Sequence, residues 1–350
     1  MFAPMAQLQA PAHATRWIQL WLILLGLMVY AMILIGGATR LTDSGLSITE
    51  WDPIKGALPP LSSEAWLVLF EKYKETAEYQ LQNRGMSMAE FQYIFWWEWA
   101  HRLFGRLIGL VAVIGFAVFA VKKWMNGPLV RRLLLLIGLG GLQGFIGWWM
   151  VASGIGETTR VDVAPYRLMT HFSLALLIIA LVWWTWLDLS DRRGLDTVRP
   201  ATTPTVRWIA IGLLGLVGLQ MAAGALVAGL DAGRTYTDWP LMAGELLPSD
   251  YTENLGVRAL FEGRAATQFN HRLLAYLLFG SSIAAAVFLW RSAYRNAALV
   301  LAGFVSAQSL WGIITLVNGA QPISLPLLHQ GLGVIVLLAA VRLCWMIQRD

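Results

Sequence analysis

The sequence has very little charge for its length. Charged residues make up 13% of the 350 positions, whereas hydrophobic residues make up 57%. A water-soluble domain carries roughly twice that share of charged residues, because its surface must be hydrated. The shortage of charge therefore excludes a soluble globular protein and predicts an integral membrane protein.

Cysteine is almost absent as well. The single cysteine, Cys344, excludes both an intrachain disulfide and a thiolate metal cluster, so any bound metal must use nitrogen or oxygen ligands. The first fifteen residues contain no Lys, no Arg and no long apolar run, which argues against a signal peptide or an Arg-rich transit peptide. We therefore expect a multi-pass protein of the bacterial inner (plasma) membrane.

The apolar residues are grouped into eight segments of the length that a spanning helix requires, which is about 20 residues. Seven windows contain no Asp, Glu, Lys or Arg: 17–37, 133–152, 168–187, 208–230, 273–290, 297–317 and 323–341. The remaining segment, 93–121, is second in chain order and carries Glu98, Arg102 and Arg106 near its start. The pattern predicts an all-α fold with eight transmembrane helices.

The distribution of charge predicts how these helices are oriented. Alternate short connections hold a set of basic residues: Lys122, Lys123, Arg131, Arg132, Arg192, Arg193, Arg199, Arg207, Arg291 and Arg295. Because basic loops remain on the cytoplasmic side, both termini are expected to be cytoplasmic. The opposite, outer side receives 17 of the 21 acidic residues. The net charge of +5 therefore reflects membrane orientation, and we expect no nucleic-acid partner.

The two halves of the sequence repeat each other. Residues 224–244 match residues 36–56 at a constant shift of 188, with identity at six positions: Gly36, Asp43, Gly45, Thr49, Trp51 and Gly56. A second match, at a shift of 165, pairs Gln143, Gly147 and Gly154 with Gln308, Gly312 and Gly319. We predict two tandem four-helix bundles, 1–190 and 191–350. They form a parallel repeat, because each contains an even number of spans.

Four of the five histidines occur at matching places. His13 lies in the N-terminal tail, where we expect it to be solvated, whereas His101, His171, His271 and His329 lie near the outer starts of the even-numbered spans. A single membrane histidine often only hydrogen-bonds a neighbouring helix. Four at one depth favour metal ligation, and no Cys, Asp or further His is nearby to complete a tetrahedral zinc site. The pattern predicts one bis-histidine haem in each half.

The neighbours of two of these histidines carry further chemistry. Arg102 and Arg272 directly follow a histidine and would either bind haem propionates or extend to lipid headgroups. Three residues before the histidine, the first half has Glu98 and the second has Gln268. Glu98 is a candidate acid–base group, and its alternative role is an ion pair with Arg102. We therefore expect chemistry in the first half and electron transfer in the second.

Three sequence motifs resemble those of haem A synthases. They are the segment 36–60, the Glu-x-x-His-Arg run at 98–102 and the Asn-His-Arg run at 270–272. The resemblance extends from about residue 17 to about residue 342. No cysteine occurs between residues 38 and 92, so the chain resembles the branch of the family without an outer-loop cysteine pair, which proteobacteria and mitochondria share.

The resemblance implies an activity and a division of ligands. The substrate would be haem O, bound between His101 and His171, and a ring methyl would be oxidised through an alcohol to the formyl group of haem A. A permanent haem b would be held by His271 and His329, and Glu98 would be the acidic residue beside the substrate ligand. The product would be destined for haem-copper terminal oxidases. The implied partners are a haem O synthase, oxidase-assembly factors and a second copy of the chain in a homo-oligomer.

Several alternatives stay open at this level. A dihaem b-type cytochrome would transfer electrons from a quinol without modifying haem. A transporter would require broken helices, but glycines such as those at 138–144 are expected at helix packing faces. The long first outer loop, 38–92, either covers the substrate site, docks a partner or is a solvated helical segment. If two histidines hold the substrate iron, either one ligand is displaceable or the oxidation does not proceed through oxygen on the iron.

Overall fold

The protein is all-helical in the computed structural model, which describes residues 8–52, 55–156, 158–191, 202–252 and 254–348. Eight helices in these ranges are long and apolar enough to cross a membrane: α1 (Ala12–Leu41), α4 (Met88–Val121), α5 (Gly127–Val151), α6 (Pro165–Ser190), α7 (Pro204–Gly229), α9 (Arg264–Phe288), α10 (Arg295–Val317) and α11 (Ser324–Gln348). Three short helices lie between them: α2 (Ser63–Lys74), α3 (Ala77–Leu81) and α8 (Ala259–Glu262). The predicted all-α membrane fold is confirmed.

The spanning helices begin where local capping signals occur, often several residues before the apolar window. The Ser87 hydroxyl and the Glu90 carboxylate form a capping box at the start of α4, and Asn126 caps α5 through its side chain. The expectation that each histidine lies near the start of its helix is therefore wrong for His101. Because α4 begins at Met88, His101 lies more than three turns inside it.

The helices contact one another in two groups of four. Helices α1, α4, α5 and α6 contact each other in a closed sequence, and so do α7, α9, α10 and α11. The two groups meet through α1, α6, α7 and α11. This grouping agrees with a boundary near residue 190, and the tandem-repeat relation stays a prediction. The connection 192–201, with Arg192, Arg193 and Arg199, lies outside the described residues.

Burial differs strongly between helices. The most apolar window of α11 is 61% buried, whereas the same measure is 6% for α4 and 6% for α5. The core lies mainly where α1, α6, α7 and α11 meet, for example at Ile18, Val182 and Val341. The expectation that the glycines of α5 form a packing face is wrong. These four glycines are exposed, and a carbon added at Gly138, Gly140, Gly141 or Gly144 would meet no atom of the described residues within 4 Å outside the helix backbone.

At one end of the bundle, residues near the start of α1 and near the end of α11 form hydrogen bonds with neighbouring segments. The backbone N–H of Asn126, between α4 and α5, donates to the carbonyl oxygen of Gln9. At the same end, the Trp345 indole near the end of α11 donates to Asp188 near the end of α6, at 2.8 Å. We call this the basic end, because Lys122, Lys123, Arg131 and Arg132 lie there; the other is the histidine end.

The long first loop forms a packed layer at the histidine end. Helix α2 places Phe70 and Tyr73 against Phe91 and Phe95 of α4 in a separate apolar cluster. The Phe70 and Phe91 rings stack with their centres 4.9 Å apart. Stacked aromatic rings of this kind stabilise a fold beyond the effect of burial alone. The loop is therefore a structured cover on the outer part of α4 rather than a fully solvated segment.

Candidate functional site

All four histidines lie against a glycine on the spanning helix that precedes them. A carbon added to the glycine would lie very close to the imidazole ring: 3.2 Å for Gly36 and His101, 3.0 Å for Gly147 and His171, 3.0 Å for Gly224 and His271, and 2.8 Å for Gly312 and His329. Only glycine lets a ring approach the helix backbone so closely. The four histidines therefore occupy one position relative to their neighbouring helices.

Three of the histidines have a glutamine beside the ring, one helical turn before that glycine. The amide nitrogens of Gln143, Gln220 and Gln308 each lie 3.2 Å from Nδ1 of the adjacent histidine. Gln143 and Gln308 also donate to the main-chain oxygen of their histidine, at 3.0 and 2.9 Å. A carbonyl oxygen only accepts hydrogen bonds, which fixes the orientation of these two amides. The Oε1 atoms of all three glutamines are buried without a hydrogen-bond partner.

His101 has a different neighbour. Met32 lies one turn before Gly36, and its methyl carbon lies 3.1 Å from a carbon added at Gly105, one turn after His101. In the same way, the amide nitrogen of Gln308 lies 3.5 Å from a carbon added at Gly333, which is one turn after His329. Met32 therefore takes the place of the fourth glutamine. Among the described residues, His101 has no side-chain hydrogen-bond partner.

The histidines of the second half form a close pair. The ring centres of His271 and His329 are 6.4 Å apart, and the ring planes are inclined by 80°. No ring contact joins His101 and His171, both of which lie in the described part of the chain. The structure thus brings His271 and His329 together, and the pairing of His101 with His171 stays a prediction.

Glu98 is buried and fully engaged in hydrogen bonds. Its side chain is 2% exposed. Oε2 accepts from the Ser47 hydroxyl and from the backbone N–H of Ile48, both at 2.8 Å, and Oε1 accepts from Arg102 at 2.6 Å. Arg102 also donates to the carbonyl oxygens of Ile48 and Glu50. The expected ion pair is present, and it secures the segment that follows α1.

The second half has the same arrangement with an amide in place of the carboxylate. Gln268 donates to the carbonyl oxygen of Tyr236 at 2.9 Å. Arg272 donates to the carbonyl oxygens of Tyr236, Asp238 and Leu241. The carbonyl oxygens of Tyr236 and Asp238 correspond, at the shift of 188, to those of Ile48 and Glu50, which Arg102 binds. Arg272 is 9% exposed, and its Nε is buried without a partner. Propionate binding by Arg102 and Arg272 stays a prediction.

Two features near the site were not predicted from the sequence. The Arg40 guanidinium bridges Asp43, Asp162 and Asp231 at 3.0, 3.6 and 2.7 Å, and so links the ends of α1 and α7. Glu78 of α3 is 2% exposed. Burial, together with the charge of the nearby Glu98, raises the pKa of Glu78 to about 8. No local sequence signal marks Glu78, because only folding of the long loop places it there.

Comparison with known proteins agrees with this geometry. Residues 19–341 match the COX15-CtaA family, described as cytochrome oxidase assembly protein. The chain belongs to this family. A haem A synthase of Hyphomonas neptunium is 62% identical over 333 residues, which cover 95% of this chain and 93% of the relative. Haem A synthases of Caulobacter sp. (strain K31) and Maricaulis maris are 47% and 44% identical, covering 96% and 97% of this chain and 97% and 99% of the relatives. The family resemblance noted in the sequence is confirmed.

Proposed function

We propose that this chain is a membrane oxidoreductase that converts haem O into haem A for the assembly of terminal oxidases. The proposal is supported by relatives named haem A synthase that match along nearly their whole length. The observation that carries it is the set of four histidines, each in contact with a glycine of the preceding spanning helix. Such a set provides nitrogen ligands for two haems at one end of the bundle.

His271 and His329 suit a resident haem b. The ring centres of His271 and His329 are 6.4 Å apart, which would let one haem iron take a nitrogen ligand from each ring. The amide nitrogens of Gln220 and Gln308 lie 3.2 Å from Nδ1 of these two histidines, and neighbours of this kind restrain the orientation of a ligand ring. Haem b in this place would supply one-electron transfer.

His101 and His171 would hold the substrate, haem O, in the first half. The conversion of a ring methyl to an alcohol and then to a formyl group breaks C–H and O–H bonds, so a proton acceptor is needed near the reacting carbon. We assign this role to Glu98. Its Oε2 is held by Ser47 and Ile48, and Arg102 stabilises the ionised form. Gln268 cannot exchange a proton in this way, so the proposal places chemistry in the first half.

The two arginines would bind the haem carboxylates to different extents. Arg272 retains a buried Nε–H without a partner, which is available to a propionate. Arg102 already binds Glu98 and two carbonyl oxygens, so it would act mainly by holding Glu98 and the segment above the site. This assigns propionate binding first to Arg272.

The orientation follows from the basic end. Basic residues favour the cytoplasmic side of a bacterial inner membrane, which places the basic end and both termini inside and the histidine end outside. A haem O synthase would supply the substrate, and oxidase-assembly factors would receive the product. In this arrangement both haems lie near the outer surface, as expected if product leaves towards an oxidase in the same membrane.

Analysis of the haems bound to the purified protein tests the function. We expect haem B together with haem O or haem A, and formation of haem A when haem O and reductant are supplied aerobically. Haem B alone, with no haem A formed, would contradict the proposal and favour a dihaem b-type cytochrome. The ratio of haem types in variants of His101 and of His271 assigns each haem to its half.

A further inference from the structure

The environment of His101 differs from those of the other three histidines in two respects. Met32 lies where the others have a glutamine, and the ring presents a different edge to its glycine. We propose that His101 is the displaceable ligand of the substrate iron, whereas His171 is the permanent one. This inference rests on the proposed function and assigns unequal roles to the two ligands of the substrate site.

The first observation is the position of Met32. It matches Gln308 in register, because each lies one turn before the contacting glycine and beside the residue one turn after the histidine. At the other three histidines a glutamine amide nitrogen lies 3.2 Å from Nδ1, and at His171 and His329 it also donates to the main-chain oxygen of the histidine. A thioether has no N–H or O–H to donate. Among the described residues, His101 therefore has no side-chain hydrogen bond that holds its ring in one orientation.

The second observation is the orientation of the ring. Gly147, Gly224 and Gly312 each face Cε1 and Nδ1 of their histidine, so the edge that carries Nδ1 lies along the neighbouring helix. Gly36 instead faces Nε2 and Cδ2 of His101. Nε2 is thus turned against α1, and a rotation of the imidazole is needed before Nε2 can point into the bundle. Without a glutamine, no hydrogen bond opposes or favours that rotation.

These observations together account for how one site can both hold and expose an iron. With both histidines bound, the substrate is secured between α4 and α6. If His101 turned towards Gly36, His171 would still hold the substrate, because Gln143 binds the His171 main-chain oxygen and restrains its ring. In the second half a glutamine would restrain both rings.

Carbon monoxide is a suitable probe, because it binds a ferrous haem only where a coordination position is open or a ligand is displaced. Its affinity is measured by optical titration of the dithionite-reduced, full-length protein containing haem b and haem O. We expect binding at one of the two haems. Met32→Gln should weaken it about 10- to 100-fold, the usual effect of an outer-shell partner on a ligand. Met28→Gln, one turn away on α1, is the matched control and should leave the affinity unchanged.

The reverse exchange tests the same idea in the other half. Gln308→Met gives His329 the neighbour that His101 has, and should make haem b newly reactive towards carbon monoxide. The haem b spectrum of Met32→Gln reports whether that variant is folded. No carbon monoxide binding to the unchanged protein, or equal affinities for Met32→Gln and Met28→Gln with both haems bound, would overturn the inference alone. Absence of bound haem would instead overturn the proposed function.

Discussion

In the second half of the chain, Gln220 and Gln308 stand beside both histidine rings, and Gln268 provides a neutral side chain at the outer segment. In the first half only His171 has a glutamine, His101 faces Met32, and the outer segment is held by the carboxylate of Glu98. The two halves use the same glycine contacts and the same arginine clamp. The comparison teaches that two similar groups of four helices differ in only a few side chains around their histidines. On the function proposed above, the pair with two glutamines suits electron transfer and the other pair suits chemistry.

The largest expected effect distinguishes the haems themselves. His271→Ala removes one of the two ligands from the close pair and should strongly lower the content of haem b, because both imidazoles of this pair would share in binding the iron. His101→Ala should leave haem O bound through His171. Pyridine haemochrome spectra of the purified variants measure both contents. Full retention of haem b by His271→Ala would contradict the division between the halves.

Exchange of the carboxylate for an amide tests which half carries the chemistry. Glu98→Gln gives the first half the side-chain type of Gln268 and should lower the rate of haem A formation by about 10²- to 10⁴-fold, the usual contribution of an acid–base group. Haem content should be unchanged, because Glu98 is not a ligand. Glu90→Gln, at an exposed acid of the same helix, is the matched control. Full turnover by Glu98→Gln would exclude an acid–base role.

The sequence predicted the elements that depend on local pattern. Charge-free windows predict the spans, because a bilayer imposes one length and one composition on every helix. The four histidines stand out for a similar reason, since a polar ring in such a window requires a partner. A Gln-x-x-x-Gly spacing recurs at 143–147, 220–224 and 308–312, and Met32 interrupts it at 32–36. This signal would have identified the glutamine neighbours from the sequence.

Other parts of the site depend on contacts between distant segments, which no local pattern specifies. The Glu98 carboxylate meets Ser47 and Ile48 only because the chain turns back after α1. The approach of Arg40 to Asp231 likewise joins the ends of two helices from different halves. The sequence offered both roles for Glu98, an ion pair and an acid–base group. The structure contains the ion pair, and only turnover measurements on variants address the second role.

A smaller effect is expected from the glutamines. Gln143→Met should lower the affinity for haem O about 10- to 100-fold, because His171 would lose the hydrogen bonds that orient its ring and hold its main-chain oxygen. Gln220→Met is the corresponding change in the second half and should weaken haem b similarly. Equilibrium transfer of haem to a soluble acceptor protein measures both. If both variants bind haem with the affinity of the unchanged protein, the glutamines do not support the ligands.

The smallest effect concerns the cover that only the first half has. Burial raises the pKa of Glu78 to about 8, so the packed state of α2 and α3 binds a proton more tightly than an opened state. The proton-linked stability of the cover is fully present below the ordinary pKa of a glutamate and is lost as the pH rises towards about 8. Between these two pH values, the equilibrium constant for opening of the cover should increase by up to about tenfold per pH unit. Limited proteolysis between pH 5 and pH 9 measures this opening. Glu78→Gln should remove the pH dependence, whereas Glu75→Gln, at an exposed neighbour, should retain it. Equal slopes for the two variants would show that Glu78 does not control the cover.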